Sequence, residues 1–287
     1  MSPDQVDDAG WSPEDWSSFN ELATATVEEH AQLRKIIPEG PSAPNAYLVE
    51  LPVVAPGARG FHFNVPDTRK VTRVRVPFVI TAEQLHDTAN IRALIEHVAR
   101  ELALWEDRLL AFGPAAAGPG SIPPAGGAPA LPNPPNDIKI ENDPRTVGLL
   151  SGQGLTGNGA DVLDRMKQGV RSVRRRLHTK TLSAAVGFDA YMTLVQDPNR
   201  RLGLDRARDV LGSKDAALAS VPPDDPACGR DEKLAVFTPD PGVLDLVWAQ
   251  RPRISFVGTD NGDLKLRLEE AFLLRIKNSS AIAVVDP

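Results

Sequence analysis

The sequence predicts an α+β fold, because helix-type and strand-type patterns fall into separate blocks rather than alternating strictly. The segment 91–109 repeats apolar residues every three or four positions, which is typical of a long amphipathic helix. Residues 36–78 and the chain after residue 233 contain short β-type runs separated by turn signals. With 41% hydrophobic and 24% charged residues, the composition is that of a globular protein.

The length and the cysteine content limit the class of protein further. A chain of 287 residues forms one large domain or two modest ones and is expected to bury about 75% of its unfolded surface. The single cysteine, Cys228, excludes an internal disulfide and a zinc site built on several cysteines, and it fits a reducing cytosol. Residues 1–10 are acidic and lack the apolar core of a secretory signal, and no apolar stretch approaches the roughly 20 residues of a membrane-spanning helix. We therefore expect a soluble protein.

The first predicted element is an acidic amphipathic helix. Ser12 is a capping residue, Pro13 suits the first helical position, and Glu14 and Asp15 favour the first turn. We expect this helix to end near Leu33. Its narrow apolar stripe must pack on another part of the protein and consists of Trp16, Phe19, Ala23, Thr26, Val27 and Ala31.

The next segment indicates an extended β arm. Strand-type runs at 47–54, 61–65 and 71–78 are separated by prolines and glycines, and residues 73–76 alternate arginine with valine. A two-stranded arm is marginal by itself, so we expect it to pair with the body of the molecule or with another subunit.

A long helix follows the arm and predicts the main core. Thr81 and Gln84 form a capping-box pattern before it. Its apolar face consists of Ile91, Leu94, Ile95, Val98, Leu102, Trp105 and Leu109. Burial of each of these side chains is expected to stabilise the fold by about 1.5–3 kcal/mol. The opposite, solvent-facing side is predicted to carry Arg92, Glu96, Arg100, Glu101 and Asp107.

The rest of the chain contains two irregular breaks, several short elements and a hairpin. Residues 114–135 hold eight prolines, four glycines and no charge, which predicts a surface loop or extended tract, and a second break lies at 221–229. Between the breaks, the predicted elements are helices at 160–177 and 205–211, a strand at 182–186, and apolar runs at 147–150 and 216–221. Strands at 234–237, 244–248 and 254–257 precede a turn at 258–262 and an alternating run, which predicts a hairpin.

Two motifs suggest cofactor chemistry but lack required parts. Gly152, Gly154 and Gly157 form a GxGxxG motif before a helix. A dinucleotide-binding turn also requires an acidic residue about 20 positions later, and none is present there. We therefore interpret the motif as a glycine loop, with a dinucleotide-binding turn as the alternative. Glu83 and His86 form one ExxH pair, whereas a di-iron centre needs two. No GxSxG, HExxH, Walker or Cys/His pattern occurs. We predict no enzymatic activity and no cofactor, the alternative being an enzyme whose acids meet only in the fold.

The charge distribution argues against a nucleic-acid partner. The net charge is −6, and residues 1–40 hold nine acids against Arg34 and Lys35. General nucleic-acid affinity rests on lysines and arginines that neutralise phosphates. The basic run is formed by Arg171, Arg174, Arg175 and Arg176. We interpret this run as a solvated helix face, with contact to an anion or nucleic acid as the alternative.

Several short motifs follow one another over most of the chain. The early ones are Trp16, Ala23, Arg34 to Ile37, Arg75 to Phe78, Thr81, Gln84 and Leu85. The middle ones are Trp105, Glu106, Asp107, Leu109, Phe112, Gly113 and Val147 to Leu150. The late ones are Gln250, Ile254, Phe256, Glu269, Phe272 and Ile282 to Pro287. In this order they resemble the motifs of encapsulins, the linocin-like and phage-capsid-like shell proteins of bacterial nanocompartments.

The resemblance implies the tailed-phage major-capsid fold of the HK-ninety-seven type. The implied parts are an N-terminal helix (1–40), an extended β arm or E-loop (41–78), a peripheral domain (79–146) with the insertion 114–135, an axial domain (147–232) and the C-terminal strands of the peripheral domain (233–287). It also implies self-assembly of many copies into a closed icosahedral shell in the cytoplasm. The shell would enclose a cargo enzyme, such as a ferritin-like protein or a peroxidase, without a nucleic-acid or membrane partner. The alternatives are a prophage-derived major capsid protein and a small soluble enzyme.

The resemblance also implies two sites. A groove for the targeting peptide of the cargo would involve Val27, Ala31, Ile37, Ile254 and Phe256, although intrasubunit core is the alternative for these residues. The loop 196–203 corresponds to the family's fivefold pore, with the pore-lining residues Asp197, Asn199, Arg200 and Arg201. Arginines repeated around such a ring would favour the passage of anions. The tract between residues 113 and 137 and the arm at 51–63 depart from the family pattern.

Overall fold

A computed structural model describes most of the chain. The described residues are 11–52, 54–57, 60–63, 67–113, 138–151, 154–157, 161–177, 181–196, 200–213, 216–223 and 232–287. The helices are α1 (Pro13–His30), α2 (Thr88–Phe112), α3 (Val162–Arg176), α4 (Phe188–Gln196) and α5 (Arg200–Leu211). The Pro/Gly-rich tract, most of the second break and Cys228 lie outside the described residues.

The strands form two larger sheets and a two-part arm. The arm contains β1 (Leu48–Leu51), β2 (Val54–Gly57), β3 (Gly60–Phe63) and β4 (Asp67–Lys70). The body contains β5 (Thr72–Ile80), β6 (Lys139–Glu141), β7 (Leu155–Thr156), β8 (Ser183–Val186), β9 (Leu218–Ser220), β10 (Leu234–Phe237), β11 (Leu244–Asp260), β12 (Asp263–Ile276) and β13 (Ile282–Asp286). The predicted α+β class is confirmed.

The first sheet is antiparallel, with the strand order β11-β12-β5-β6. The predicted hairpin is its largest part: β11 and β12 pair from the Leu244–Ile276 end to Asp260 and Asp263. A two-residue loop joins them, in which Gly262 adopts a φ of 90°, a left-handed conformation that glycine reaches without a steric penalty. The runs predicted at 244–248 and 254–257 belong to one continuous strand, whose pairing register shifts at β-bulges between them.

Helix α2 covers one face of this sheet. Alternate residues of β5, among them Val74, Val76 and Phe78, are buried together with the predicted apolar face of the helix, although Leu94 is only partly buried. The helix begins later than the capping pattern indicates. The Gln84 side chain accepts the N–H of Thr81 at 3.1 Å, but Gln84 begins a short 3-10 turn that ends at His86, and Asp87 caps the helix itself.

One predicted polar position on α2 is wrong. Asp107 was expected on the solvent-facing side, but it is 2% exposed, and the neighbouring Glu106 is fully buried. The reason is that helix α1 and the turn after it pack over this part of α2 and exclude water from both carboxylates.

Helix α1 begins as predicted. The Ser12 side chain accepts the N–H of Asp15 at 3.1 Å, and the Asp15 carboxylate accepts the N–H of Ser12 at 3.0 Å, so both halves of a capping box are present. The helix ends at His30, and a short 3-10 turn follows at Leu33–Lys35. The predicted stripe is buried, and Trp11 makes edge contacts with Trp16 and Phe19.

The second sheet has the order β7-β13-β10-β8-β9 and carries α3, α4 and α5. Strand β10 pairs antiparallel with both β8 and β13, whereas β9 and β7 are added in parallel at the two edges. Strands β10 and β13 lie in the segment 233–287, so this segment is divided between both sheets. A separate apolar core fills the space between the second sheet and its helices.

The arm continues from the first sheet as paired ribbons. Strand β1 pairs antiparallel with β4, and the two strands between them in the sequence, β2 and β3, pair antiparallel with each other. A small cluster that includes Val49, Val71 and Val247 joins the base of the arm to the sheet. Among the described residues, no helix is long and apolar enough to cross a membrane.

Candidate functional site beneath the N-terminal helix

Helix α1 lies along strand β11, where the sequence placed the peptide groove. The Thr24 hydroxyl donates to the carbonyl of Pro252 at 3.2 Å, and the N–H of Ile254 donates to Asn20 Oδ1 at 2.8 Å. These two bonds fix the helix beside the outer edge of the sheet. The apolar stripe of α1 then closes the core above α2.

The predicted groove residues occupy this contact. Val27, Ala31, Ile37 and Ile254 are between 0 and 3% exposed and belong to the core of the single chain. Phe256 is half-buried and packs against the same core. The structure therefore brings all five residues into one region, with Phe256 as the member that reaches the surface.

Strand β11 leaves a free edge beside that surface. The segment 38–45 covers the first part of the edge with backbone bonds such as Gly40 N–H to Leu246 O at 2.9 Å and Ala43 N–H to Trp248 O at 3.0 Å. Beyond Ile254, no described strand pairs with the outer edge of β11. Val257, which follows Phe256, is 57% exposed.

A buried charge cluster lies under the end of α1. The Arg34 guanidinium donates from Nε to Glu106 Oε1 at 2.9 Å and from Nη2 to the second oxygen of Glu106, and Nη2 also lies 3.2 Å from Glu270 Oε2. Its planar group stacks on Trp248, with 4.6 Å between the guanidinium carbon and the ring centroid. The cluster thus joins three elements that are distant in sequence: the turn after α1, helix α2 and strand β12.

Asp107 holds the same turn through its backbone. Its two carboxylate oxygens accept the N–H groups of Gln32 and Leu33, each at 2.8 Å. These two N–H groups lie just after the end of α1 and are not part of its hydrogen-bond pattern, so the Asp107 carboxylate is the acceptor that satisfies them. Glu106 and Asp107, adjacent on α2, therefore fix the side chain and the backbone of one short turn.

The cluster contains three buried carboxyl groups for one buried arginine. Burial, together with a smaller contribution from the neighbouring Glu106, raises the pKa of Asp107 to about 7. Burial also raises the pKa of Glu106 and, more strongly, that of Glu270. Burial by itself would lower the pKa of Arg34, but the adjoining Glu106 and Glu270 raise it above its ordinary value, so the arginine stays charged.

The hydrogen bonds indicate which carboxyl keeps a proton. Both oxygens of Glu106 bind Arg34, and both oxygens of Asp107 accept backbone N–H groups, which favours the ionised form of each. Glu270 Oε1 is buried and has no partner among the described residues. We therefore assign the retained proton to Glu270.

The predicted pore loop is only partly described. Asp197 and Asn199 lie outside the described residues. Arg200 and Arg201 form the first turn of α5, where the structure describes the backbone alone. The anion preference of these positions therefore stays a prediction.

The two cofactor motifs have structural explanations. A Cβ atom on Gly154 would overlap the carboxylate of Asp286, and one on Gly157 would lie 2.5 Å from the backbone oxygen of Asp286, so β13 packs where a bound phosphate would need space. Glu83 and His86 are both exposed. Among the described residues, no three His, Cys, Asp or Glu side chains are grouped so that they could hold a metal ion.

The same fold occurs in solved capsid structures. The chain matches a virus-like particle from Pyrococcus furiosus with a TM-score of 0.68 and 13% identity, over 95% of this chain and 100% of that one. It matches the capsid of Myoviridae phage XM1 with a TM-score of 0.55 and 10% identity, over 89% and 91% of the two chains. A phage-related protein from Bordetella bronchiseptica gives a TM-score of 0.55 and 8% identity, over 93% and 96%.

These likenesses define the class of fold: the chain has the fold of tailed-phage capsid proteins, and the predicted HK-ninety-seven type is confirmed. The TM-score with the Pyrococcus furiosus particle exceeds those with the two phage-type proteins. No protein-family model matches the sequence, and no curated protein matches it.

Proposed function

We propose that this protein is a structural shell subunit of the encapsulin type, which assembles with many copies of itself into a closed icosahedral container in the cytoplasm and encloses a cargo enzyme. The observation that carries the proposal is the match in fold to a virus-like particle over 95% of this chain and all of the other. A prophage-derived major capsid protein is the second candidate, because two phage-type structures share the fold at TM-scores of 0.55.

The arm supports a role in assembly. Strands β2 and β3 pair only with each other among the described residues, and a two-stranded ribbon is marginal in water. At the base of the arm, Tyr47 and Leu48 are 57% and 51% exposed. Contact with a neighbouring subunit would remove such apolar surface and the strand edges from water.

The free edge of β11 supports a role in cargo docking. A targeting peptide added beside residues 255–260 would pair with unpaired backbone groups and find Phe256 and Val257 as apolar anchors. Val27, Ala31, Ile37 and Ile254 would then form the rigid floor of the groove rather than its surface. This arrangement keeps all five predicted residues in one site but gives them two different roles.

The pore proposal follows from the positions of Arg200 and Arg201. Repeated around a ring of subunits, their charges would favour anions. Reversal of both charges is expected to invert the preference in a flux assay, and unchanged flux would remove the idea.

The decisive experiment is electron microscopy of purified recombinant protein, supported by light scattering. An encapsulin-type subunit is expected to form closed, empty shells by itself. A phage capsid protein would need a scaffold and a maturation protease, and a small enzyme would remain a monomer or dimer. If the wild-type protein forms shells, replacement of residues 54–63 by a short Gly/Ser linker is expected to abolish them. The control Glu96→Gln, on the exposed side of α2, should leave assembly unchanged.

The docking site is tested separately by Val257→Asp. Shells of this variant, purified from the native host and treated with protease, are expected to retain their structure but lose their enclosed protein. Val147→Asp is the matched control, since Val147 is a valine of similar exposure, 52% against 57%, that lies far from β11 in the sequence. Equal cargo retention by both variants would contradict the proposed groove.

A further inference from the structure

Helix α3 carries a concentration of positive charge that the proposed function does not use. After Asp164 the helix has no acidic residue, and Arg171, Arg174, Arg175 and Arg176 are all exposed. The solvated face predicted from the sequence is therefore present. Its composition nevertheless differs from that of the other exposed helical surfaces.

Three of these arginines share one concavity. Arg171, Arg175 and Arg176 line a hollow of about 440 Å³ together with Gln168, Ser172 and Leu155. The helical residues 168, 171, 172, 175 and 176 recur at spacings of three and four and so form one continuous face. Among the described residues, no carboxylate lines the hollow. Its volume lies within the range of small-ligand sites, roughly 300–1,000 Å³.

Some exposed arginines elsewhere in the described chain have carboxylate partners, whereas Arg92, Arg206 and Arg253 have none among the described residues. Arg100 lies 3.3 Å from Glu96, Arg208 lies 3.5 Å from Asp205, and Arg251 lies 2.9 Å from Glu39. Within the described residues, Arg171, Arg175 and Arg176 have no carboxylate within the 4.0 Å of an ion pair. Three like charges on one helix face repel one another.

The helix dipole explains only part of the cluster. Cations in the last turn of a helix are stabilised by its negative end, and this effect fades within that turn. Arg174, which donates to the carbonyl of Leu211 at 3.5 Å, Arg175 and Arg176 occupy that turn. Arg171 lies one turn earlier, yet it faces the same hollow.

We propose that this hollow, the α3 arginine site, binds a small anion that carries a diphosphate group. Arginine presents paired N–H donors that match phosphate oxygens, and three guanidinium groups with the Ser172 hydroxyl offer donors on several sides of such a group. Arg176 also borders an adjoining hollow of about 360 Å³ with mainly apolar walls, including Val147, Ile276 and Ile282. The remainder of a nucleotide can occupy this second hollow.

A small ligand fits better than a nucleic acid. Specific nucleic-acid interfaces bury about 1,000–2,500 Å² and rely on broad basic surfaces. Here the chain has a net charge of −6, and Arg171, Arg175 and Arg176 lie together in one concavity. The hollow borders the glycine motif through Leu155, but Asp286 fills the space beside Gly154.

Equilibrium dialysis of the full-length protein against ADP and against pyrophosphate tests the proposal. Saturable binding of one equivalent per chain is expected for at least one of the two probes. Tighter binding of ADP would assign the second hollow to the nucleoside, and equal binding would restrict the site to the diphosphate group. In Arg171→Gln/Arg175→Gln the affinity should fall about tenfold or more, since two charge-assisted contacts are lost.

The control variant is Arg100→Gln, which removes an exposed arginine that already has a carboxylate partner. It should bind the probes as the wild type does, and circular dichroism should show equal helix content in all three proteins. The proposal is overturned by an absence of saturable binding, by equal affinity in the double variant, or by binding that occurs only with long oligonucleotides and increases with their length.

Discussion

Two buried charge clusters in the first sheet have opposite compositions. In the first cluster, Arg34 lies among three buried carboxyl groups, Glu106, Asp107 and Glu270. In the second cluster, Asp245 meets two cations: Arg275 donates from Nε and Nη2 at 2.7 and 2.6 Å, and Lys277 Nζ lies 2.7 Å away. One cluster has more acids than it can pair, and the other has more cations.

The excess of buried carboxyl groups gives the first cluster a response to pH. Burial raises the pKa of Asp107 to about 7 and raises that of Glu270 above its ordinary value, so a carboxyl of this cluster takes up a proton as the pH falls toward neutrality. We therefore expect the attachment of the N-terminal helix through this cluster to depend on pH.

The largest expected effect comes from removal of the only acid in the second cluster. Asp245→Asn leaves two buried cations without a counter-charge, and we expect a loss of about 3–5 kcal/mol in the free energy of unfolding. Guanidinium unfolding followed by tryptophan fluorescence measures it, at one protein concentration because assembly is linked to stability. A loss below about 1 kcal/mol would show that water, rather than Asp245, compensates the cations.

The next effect is a dependence of stability on pH. A carboxyl whose pKa is raised in the folded chain releases its proton on unfolding, so its contribution to stability falls as pH rises. Asp107 and Glu270 both contribute to this fall, which for Asp107 extends from its ordinary pKa of 3.8 to about 7 in the folded protein. We expect the cluster to lower the free energy of unfolding by on the order of 1–3 kcal/mol over this range, in unfolding curves measured at successive pH values.

Glu270→Gln is the variant that tests this origin, because Glu270 is the group to which we assign the proton. Its pH profile should be flatter than that of the wild type. Glu96→Gln, which changes an exposed glutamate on α2, is the control and should reproduce the wild-type slope. Identical slopes in all three proteins would place the pH response outside the cluster.

The smallest effects on stability should come from Glu270 and Lys277, the charged groups that the two clusters hold in excess. At pH 7, Glu270→Gln leaves Arg34 bound to Glu106, and Lys277→Met leaves Arg275 bound to Asp245 through two hydrogen bonds. We expect each to change the free energy of unfolding by less than about 1 kcal/mol, because neither substitution leaves a buried charge without an opposite charge beside it. Thermal unfolding midpoints provide the measurement, and a large loss in either variant would mean that its cluster acts as an indivisible unit.

Local patterns predicted the framework of the fold but not these clusters. The periodicity of α2 and the turn of the β11–β12 hairpin are visible in sequence because each depends on neighbouring residues. Arg34 and Glu270 are 236 positions apart, and no local pattern records their contact. One signal for Glu106 was available: it lies four residues after Leu102 and three before Leu109, both buried, and therefore on the apolar stripe itself.

The candidate peptide groove stays a prediction. Four of its five residues, Val27, Ala31, Ile37 and Ile254, are buried in the core of the chain, and Phe256 is half-buried. Apolar character in a sequence does not distinguish the surface of a groove from the core beneath it. Helix α4 was missed, because its nine residues are too few to establish a helical period.

The position of β13 has a consequence for biosynthesis. This strand, residues 282–286, lies between β7 and β10, and it supplies Val285 to the second apolar core. While the ribosome is still making the preceding segments, the second sheet is split into two pieces that cannot join. The second sheet of the nascent chain therefore stays incomplete until translation has passed these five residues.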